Sequence, residues 1–223
     1  MKKKILIVSI LVVALVGIIT TIYIIRDSKK NCNTQANRFK VLYEKYNNKE
    51  ITHNDNKYKL QELKIDKENP MVEISKENIY SKLSEKTSIL FFGSPKDYTS
   101  REMIKVLLEI SEYNNCETIY YYDIDKLNKE YQNGENTDLY SKITDKLGEK
   151  LNNTFENTNN KKIENGTIVF SKDGEIKTVI EGISENYKYG KSISNKEKSN
   201  LKSKINSGFN EISGGVCEVR QQC

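Results

Sequence analysis

The sequence predicts an α/β domain, a central mixed sheet flanked by helices, standing behind a single N-terminal transmembrane helix. Three observations predict it: a charge-free run from Ile5 to Ile25, a strand-helix-strand rhythm that becomes regular near Val72, and an Asp-Gly turn between two apolar segments late in the chain.

The first run holds 21 residues without a charge. At about 1.5 Å per helical residue it spans roughly 30 Å, the thickness of a bilayer's hydrocarbon core. A cleaved signal peptide would carry a shorter apolar region of about 7–15 residues and small residues at its cleavage site; Gly17 to Thr21 fit that poorly. Lipoprotein processing would have to use Cys32, behind Lys29 and Lys30, an unfavourable context. Lys2, Lys3 and Lys4 on one flank nearly balance Arg26, Lys29 and Lys30 on the other. The short N-terminal tail and the lack of further apolar spans favour a signal anchor with an extracytoplasmic domain. The expected layout is a short cytoplasmic tail (1–4), a transmembrane signal anchor (5–25), a membrane-proximal helix and polar linker (26–71), the main domain (72–213) and a Cys-containing C-terminal tail (214–223). The expected location is the cell membrane, as a single-pass protein.

The chain has 36 Lys and Arg against 31 Asp and Glu; residues 1–30 take six of the basic and one of the acidic residues, leaving 30 of each for residues 31–223. Nucleic-acid binding needs a clustered basic surface, whereas Lys and Glu here are interspersed as on a solvated face, so no nucleic-acid partner is expected. The four cysteines, Cys32, Cys116, Cys217 and Cys223, permit three pairings outside the cell and would be thiols inside it. None forms a CxxC or stands beside a histidine at ligand spacing, so no metal and no cofactor is expected. The single histidine, His53, reads as an exposed loop residue between Thr52 and Asn54. Cys116 reads as a small buried residue.

After the anchor, Phe39, Leu42, Tyr43 and Tyr46 recur at helical spacing and predict an amphipathic helix over 35–47, a stalk or a lid. A short strand is predicted over 58–65. From Val72 the pattern predicts a strand to Ser75, a helix over 78–86, and a strand over 88–93 whose Ile89, Leu90, Phe91 and Phe92 suggest burial on both faces. A helix over 100–113 follows, with Met103, Ile104, Leu107, Leu108 and Ser111 on one face and Val106 and Ile110 widening it, then a strand over 118–124. This βαβ unit should cross over right-handed. A helix over 138–151, an Asn-rich loop over 152–165, two strands over 167–170 and 176–180 joined at Asp173-Gly174, and a polar helix over 196–212 ending near Gly214-Gly215 complete the series. Tyr120, Tyr121 and Tyr122 read as strand packing.

The segment Ile89-Leu90-Phe91-Phe92-Gly93-Ser94-Pro95 before a helix resembles the strand and loop that lead to the redox motif of thioredoxin-like proteins, particularly the membrane-anchored accessory ones of Gram-positive bacteria. Gly166-Thr167-Ile168-Val169-Phe170-Ser171-Lys172-Asp173-Gly174 resembles their β-hairpin, in which a cis-proline precedes the threonine. The resemblance implies a thioredoxin-like sandwich over residues 72–213.

Where such proteins carry Cys-x-x-Cys, this chain has Asp97-Tyr98-Thr99-Ser100, and Gly166 occupies the cis-proline-equivalent position. Thiol-disulfide exchange needs a thiolate at a helix N-terminus and a second, resolving thiol. Asp97 and Ser100 supply neither and read as caps of a helix beginning near Arg101. The expectation is a redox-inactive domain, without a confident catalytic residue, that binds or assembles exported proteins. Two alternatives stand beside it: an oxidoreductase using Cys217 and Cys223, a pair that reads more readily as a disulfide staple, and a structural membrane protein without catalysis.

Overall fold

The computed structural model describes residues 34–212 apart from 85, 86, 117 and 157. The 5–25 run, Cys32, Cys217, Cys223 and the Gly214-Gly215 stop therefore lie outside the described residues. Among those described, no helix is long and apolar enough to cross a membrane.

Ile89 to Phe92 organise the molecule. They belong to β4 (Ser88–Phe92), every residue of which is buried, because neighbours cover it on both edges and both faces. The five-stranded sheet runs in the order β3-β5-β4-β6-β7, where β3 is Met71–Glu73, β5 Ile119–Tyr122, β6 Thr167–Lys172 and β7 Glu175–Glu181. Strands β3 and β4 lie parallel to β5, while β6 lies antiparallel to β4 and β7 antiparallel to β6. The sheet is mixed and helices flank both faces, as expected.

One face packs against α1 (residues 34–44), α3 (Tyr98–Tyr113) and α6 (Asn195–Ile212). It buries Phe39, Tyr43, Phe91, Ile104, Leu107, Tyr121, Phe170 and Leu201 together. The other face takes α2 (Lys76–Ser84), α4 (Ile124–Gln132) and α5 (Thr137–Leu147), with Ile79, Leu90, Phe92, Leu127, Tyr140 and Ile143 in its core. The alternation of Leu90 and Phe92 to one side and Phe91 to the other follows the two-residue period of a strand.

Segment 34–65 belongs to the first of these cores. Glu44 accepts from the Ile65 backbone N–H at 2.8 Å, and Asn47 exchanges two hydrogen bonds with the backbone of Leu63. Between them stands a β-hairpin, β1 (Glu50–His53) with β2 (Asn56–Lys59), rather than the strand predicted over 58–65. Its turn, Asn54-Asp55, has φ of 47° and 60°, the doubly left-handed pair that matches strand twist. His53 is consequently a half-buried strand residue and not an exposed loop residue.

Further corrections concern element bounds. Ile124 ends no strand: Asp123 caps α4, accepting from Asp125 N, and turns the chain into a helix the sequence reading missed. The helix predicted over 138–151 stops at Leu147, where Gly148 takes φ +56° and a short 3-10 turn follows. α3 begins at Tyr98, so Arg101 lies inside its first turns instead of at its start. The predicted Asp173-Gly174 turn is present, with φ of 51° and 77°. A Cβ on Gly174 would stand 2.1 Å from the Ser84 carbonyl oxygen, so only glycine fits there. α6 opens with a reciprocal cap between Ser194 and Glu197.

Candidate binding cleft

The sheet order itself creates a site. β4 and β5 are adjacent and parallel, yet the helix after β4 packs on one face and the helix after β5 on the other. Connections that diverge in this way leave a crevice outside the strands' carboxyl ends, where α/β sheets bind ligands. Because β6 is antiparallel, its N-terminal approach, Asn165-Gly166, arrives at the same end.

An open cleft of about 1130 Å³ lies here, with His53, Asp97, Thr99, Asp125, Asn165 and Tyr189 among its lining residues. The start of α3 forms one wall. Asp97 is its N-cap, accepting from Ser100 N at 2.6 Å, so of the two capping alternatives the side chain of Asp97 does the capping. Ser100 is buried; its hydroxyl accepts from Ser94 N at 3.0 Å and donates to Asn165 Oδ1 at 3.4 Å. The Asn165 amide in turn donates to Asp125 at 2.6 Å.

Gly166 faces this wall. Its φ is +85°, and a Cβ there would stand 3.3 Å from Thr99 Cγ2 and 3.1 Å from Met103 Cγ. Its N–H donates to the Phe92 carbonyl at 2.9 Å. No cis peptide bond occurs among the described residues, so the Gly166 position carries neither the proline nor the cis geometry of the hairpin it resembles. The structure thus brings Asp97, Ser100 and Gly166 together; Cys217 and Cys223 fall outside the described residues.

An aromatic cluster continues this wall. Tyr189 stacks on His53, ring centroids 3.9 Å apart and planes 15° apart, with Tyr58 edge-on at 5.1 Å and Tyr98 tilted at 5.9 Å. The Tyr189 hydroxyl accepts from Tyr98 N at 3.1 Å and meets the Asp97 carboxylate. Sequence reading missed Tyr189, because its neighbours Lys188 and Gly190 look like ordinary loop; the one available signal was the pair Tyr187 and Tyr189 in a segment otherwise polar.

The electrostatics follow from burial. It pushes the Asp97 carboxyl above its ordinary value, Asp125 adding to this while hydrogen bonds from Ser100 and Tyr189 oppose it. Asp123, at the carboxyl end of β5, is pushed up to about 6, first by burial and then by Asp125. Burial also raises Tyr189, with Asp97 reinforcing it.

Behind the cleft, Arg101 is fully buried. Its guanidinium donates to the carbonyls of Tyr43 (2.8 Å), Pro95 (3.2 Å) and Gln61 (2.6 Å) and to Asn47 Oδ1 (2.5 Å). It fixes segment 34–65 against the loop that precedes α3.

Chemically, the start of α3 offers a carboxylate, a hydroxyl and a backbone turn, all engaged in holding one another, and no thiol. Among the described residues no three His, Cys, Asp or Glu side chains converge as metal ligands. Cys116 is buried, its thiol directed at the Thr118 carbonyl, away from the cleft lining. No protein-family model matches the chain, and no curated protein matches it either.

Proposed function

We propose that the chain is a membrane-anchored, thioredoxin-like domain without redox chemistry that holds an extended segment of an exported protein in the cleft lined by the start of α3, the His53/Tyr189 pair, Asn128 and Asn165. The observation that carries this reading is the use made of Asp97 and Ser100. They stand at the helix start where the resemblance would place two thiols, and both side chains are spent on capping α3 and tying its loop. The strand order and directions, with α3 following β4 and Gly166 set against Thr99, support the thioredoxin-like assignment. The open, amide-lined crevice supports binding: extended peptides present one backbone donor and acceptor per residue, which Asn and Thr side chains can meet.

The test is made on the full chain in its membrane. A photo-crosslinking residue placed at Thr99 should capture a discrete set of exported polypeptides, whereas one placed at Glu211, near the far end of α6, should not. The purified full chain should leave insulin disulfides intact. Insulin reduction that disappears in Cys217→Ser would replace this reading with the oxidoreductase one.

A further inference from the structure

We propose that Lys45, Lys49 and Lys96, gathered around the ring of Tyr46, form an acid-receiving end of the cleft, so that the bound segment is an extended polypeptide with carboxylate side chains at one end. This rests on the cleft reading above and adds the chemistry of its ligand.

The three ammonium groups lie 5.1, 5.2 and 5.6 Å from the centroid of a single ring. They come from different places. Lys45 ends the α1 region, and Lys49 is brought back over Tyr46 by a turn in which Lys49 N donates to the Tyr46 carbonyl and Asn48 takes φ 60°. Lys96 comes from the loop that precedes the Asp97 cap. All three are exposed.

Some lysines on this surface pair with carboxylates: Lys40 with Glu44, Lys76 and Lys126 with Glu130, Lys105 with Glu102, Lys162 with Glu164, Lys177 with Glu175, and Lys198 and Lys202 with Glu109. Lys45, Lys49 and Lys96 have no such ion pair among the described residues. Asp123 feels Lys96 but is half-buried, caps α4 and meets Ser94. Ring attraction holds each cation in place, while three like charges around one point repel one another and favour an anion between them. Lys96 also lines the cleft. Lys45, Tyr46 and Lys49 lie outside the cleft lining, so Lys96 is the link by which an anion at Tyr46 would adjoin a segment beside Thr99 and Asn165, the two being taken as one polypeptide.

The experiment uses fluorescence anisotropy on the full chain in detergent, with a fluorescein-labelled eight-residue probe, Gly-Thr-Val-Thr-Val-Glu-Glu-Glu, and its twin ending in three glutamines. The acidic probe should bind about tenfold more tightly than the twin at low salt, and the preference should vanish in the Lys45→Gln, Lys49→Gln, Lys96→Gln triple variant. A control removing equal charge elsewhere, Lys142→Gln, Lys146→Gln and Lys204→Gln, should keep the preference. If the twin binds as well as the acidic probe to the wild-type chain, or if the preference survives the triple variant, the proposal is overturned while the cleft reading stands. If neither probe binds but inorganic polyphosphate does in a manner lost with the three lysines, the patch is a polyanion site, and both the acidic-segment proposal and the peptide cleft fall.

Discussion

The Arg101 guanidinium donates through Nη1 to the Tyr43 carbonyl at 2.8 Å, so a cation from the start of α3 holds the end of α1. No carboxylate touches that cation in the described structure; its partners are three carbonyls and one amide oxygen. Burial pushes it down to about 10, with Tyr43 and Glu102 opposing, which leaves it charged at neutral pH. Arg101 thus ties the start of α3 to segment 34–65, and through it to the β1–β2 hairpin that carries His53 and Tyr58 of the aromatic cluster.

Arg101→Lys should destabilise the domain by about 2–4 kcal/mol, since one ammonium cannot reach four acceptors placed for a planar fork, and buried acceptors are left without donors. Urea unfolding of the full chain measures this, and hydrogen exchange should rise first in residues 43–61. An unchanged unfolding midpoint would show that these contacts are not what holds the segment.

Asp123 gives a pH prediction. Its folded-state value, about 6, lies above its ordinary one. Between the two, the folded protein binds more protons than the unfolded chain, so stability falls as pH rises through that window. Wild-type protein should gain about 1–2 kcal/mol on going from pH 7.5 to pH 4.5 through this group, a figure below the full shift because Asp123 is partly solvated. Asp123→Asn imitates the protonated form and keeps a capping side chain, so it should raise the melting temperature at pH 7.5 and leave it nearly unchanged at pH 4.5. Equal stabilisation at both pH values would assign the effect to something other than titration.

What the sequence made legible was what apolar pattern controls. Ile89 to Phe92 read as a doubly buried strand because four consecutive apolar residues need cover on both faces, and Asp173-Gly174 read as a hairpin because its backbone demands are local. The β1–β2 hairpin was missed because Glu50 to Lys59 buries almost nothing. α4 was missed because Tyr120 to Ile124 reads as one apolar run, and only Asp123 marks the change of direction. The candidate site divides the same way. Asp97, Ser100 and Gly166 were found through local motifs. Tyr189, His53 and Arg101 were not, because their roles come from partners far off in sequence, and a charged residue that is buried against carbonyl groups leaves no periodic trace.

Tyr189→Phe should separate the two functions of that ring. The stack on His53 survives, while the hydroxyl that accepts from Tyr98 N and meets Asp97 is lost. The expected cost is about 1 kcal/mol, read by thermal unfolding, whereas Tyr189→Ala should cost more, by about another 1 kcal/mol, and expose the hairpin to exchange. Identical losses for both variants would mean the stack contributes nothing.

The double substitution Asp97→Cys, Ser100→Cys tests the thioredoxin-like assignment most directly. In that fold the first position of the motif meets the helix N-terminus, whose dipole lowers a thiol's pKa, and the second lies one turn on, close enough to resolve a mixed disulfide. Here Asp97 is the N-cap and Ser100 is buried three residues later beneath the Asn165-Gly166 approach. The double variant should reduce insulin disulfides when supplied with dithiothreitol, Asp97→Cys alone should only form mixed disulfides, and the wild-type chain should do neither. Loss of the Asp97 cap will cost roughly 1 kcal/mol, so the assay is run beside an unfolding curve to establish that the variant is folded. A folded double variant that forms no internal disulfide would mean that the two positions are not disposed as a redox motif, and the cleft would then have to be explained without the thioredoxin-like frame.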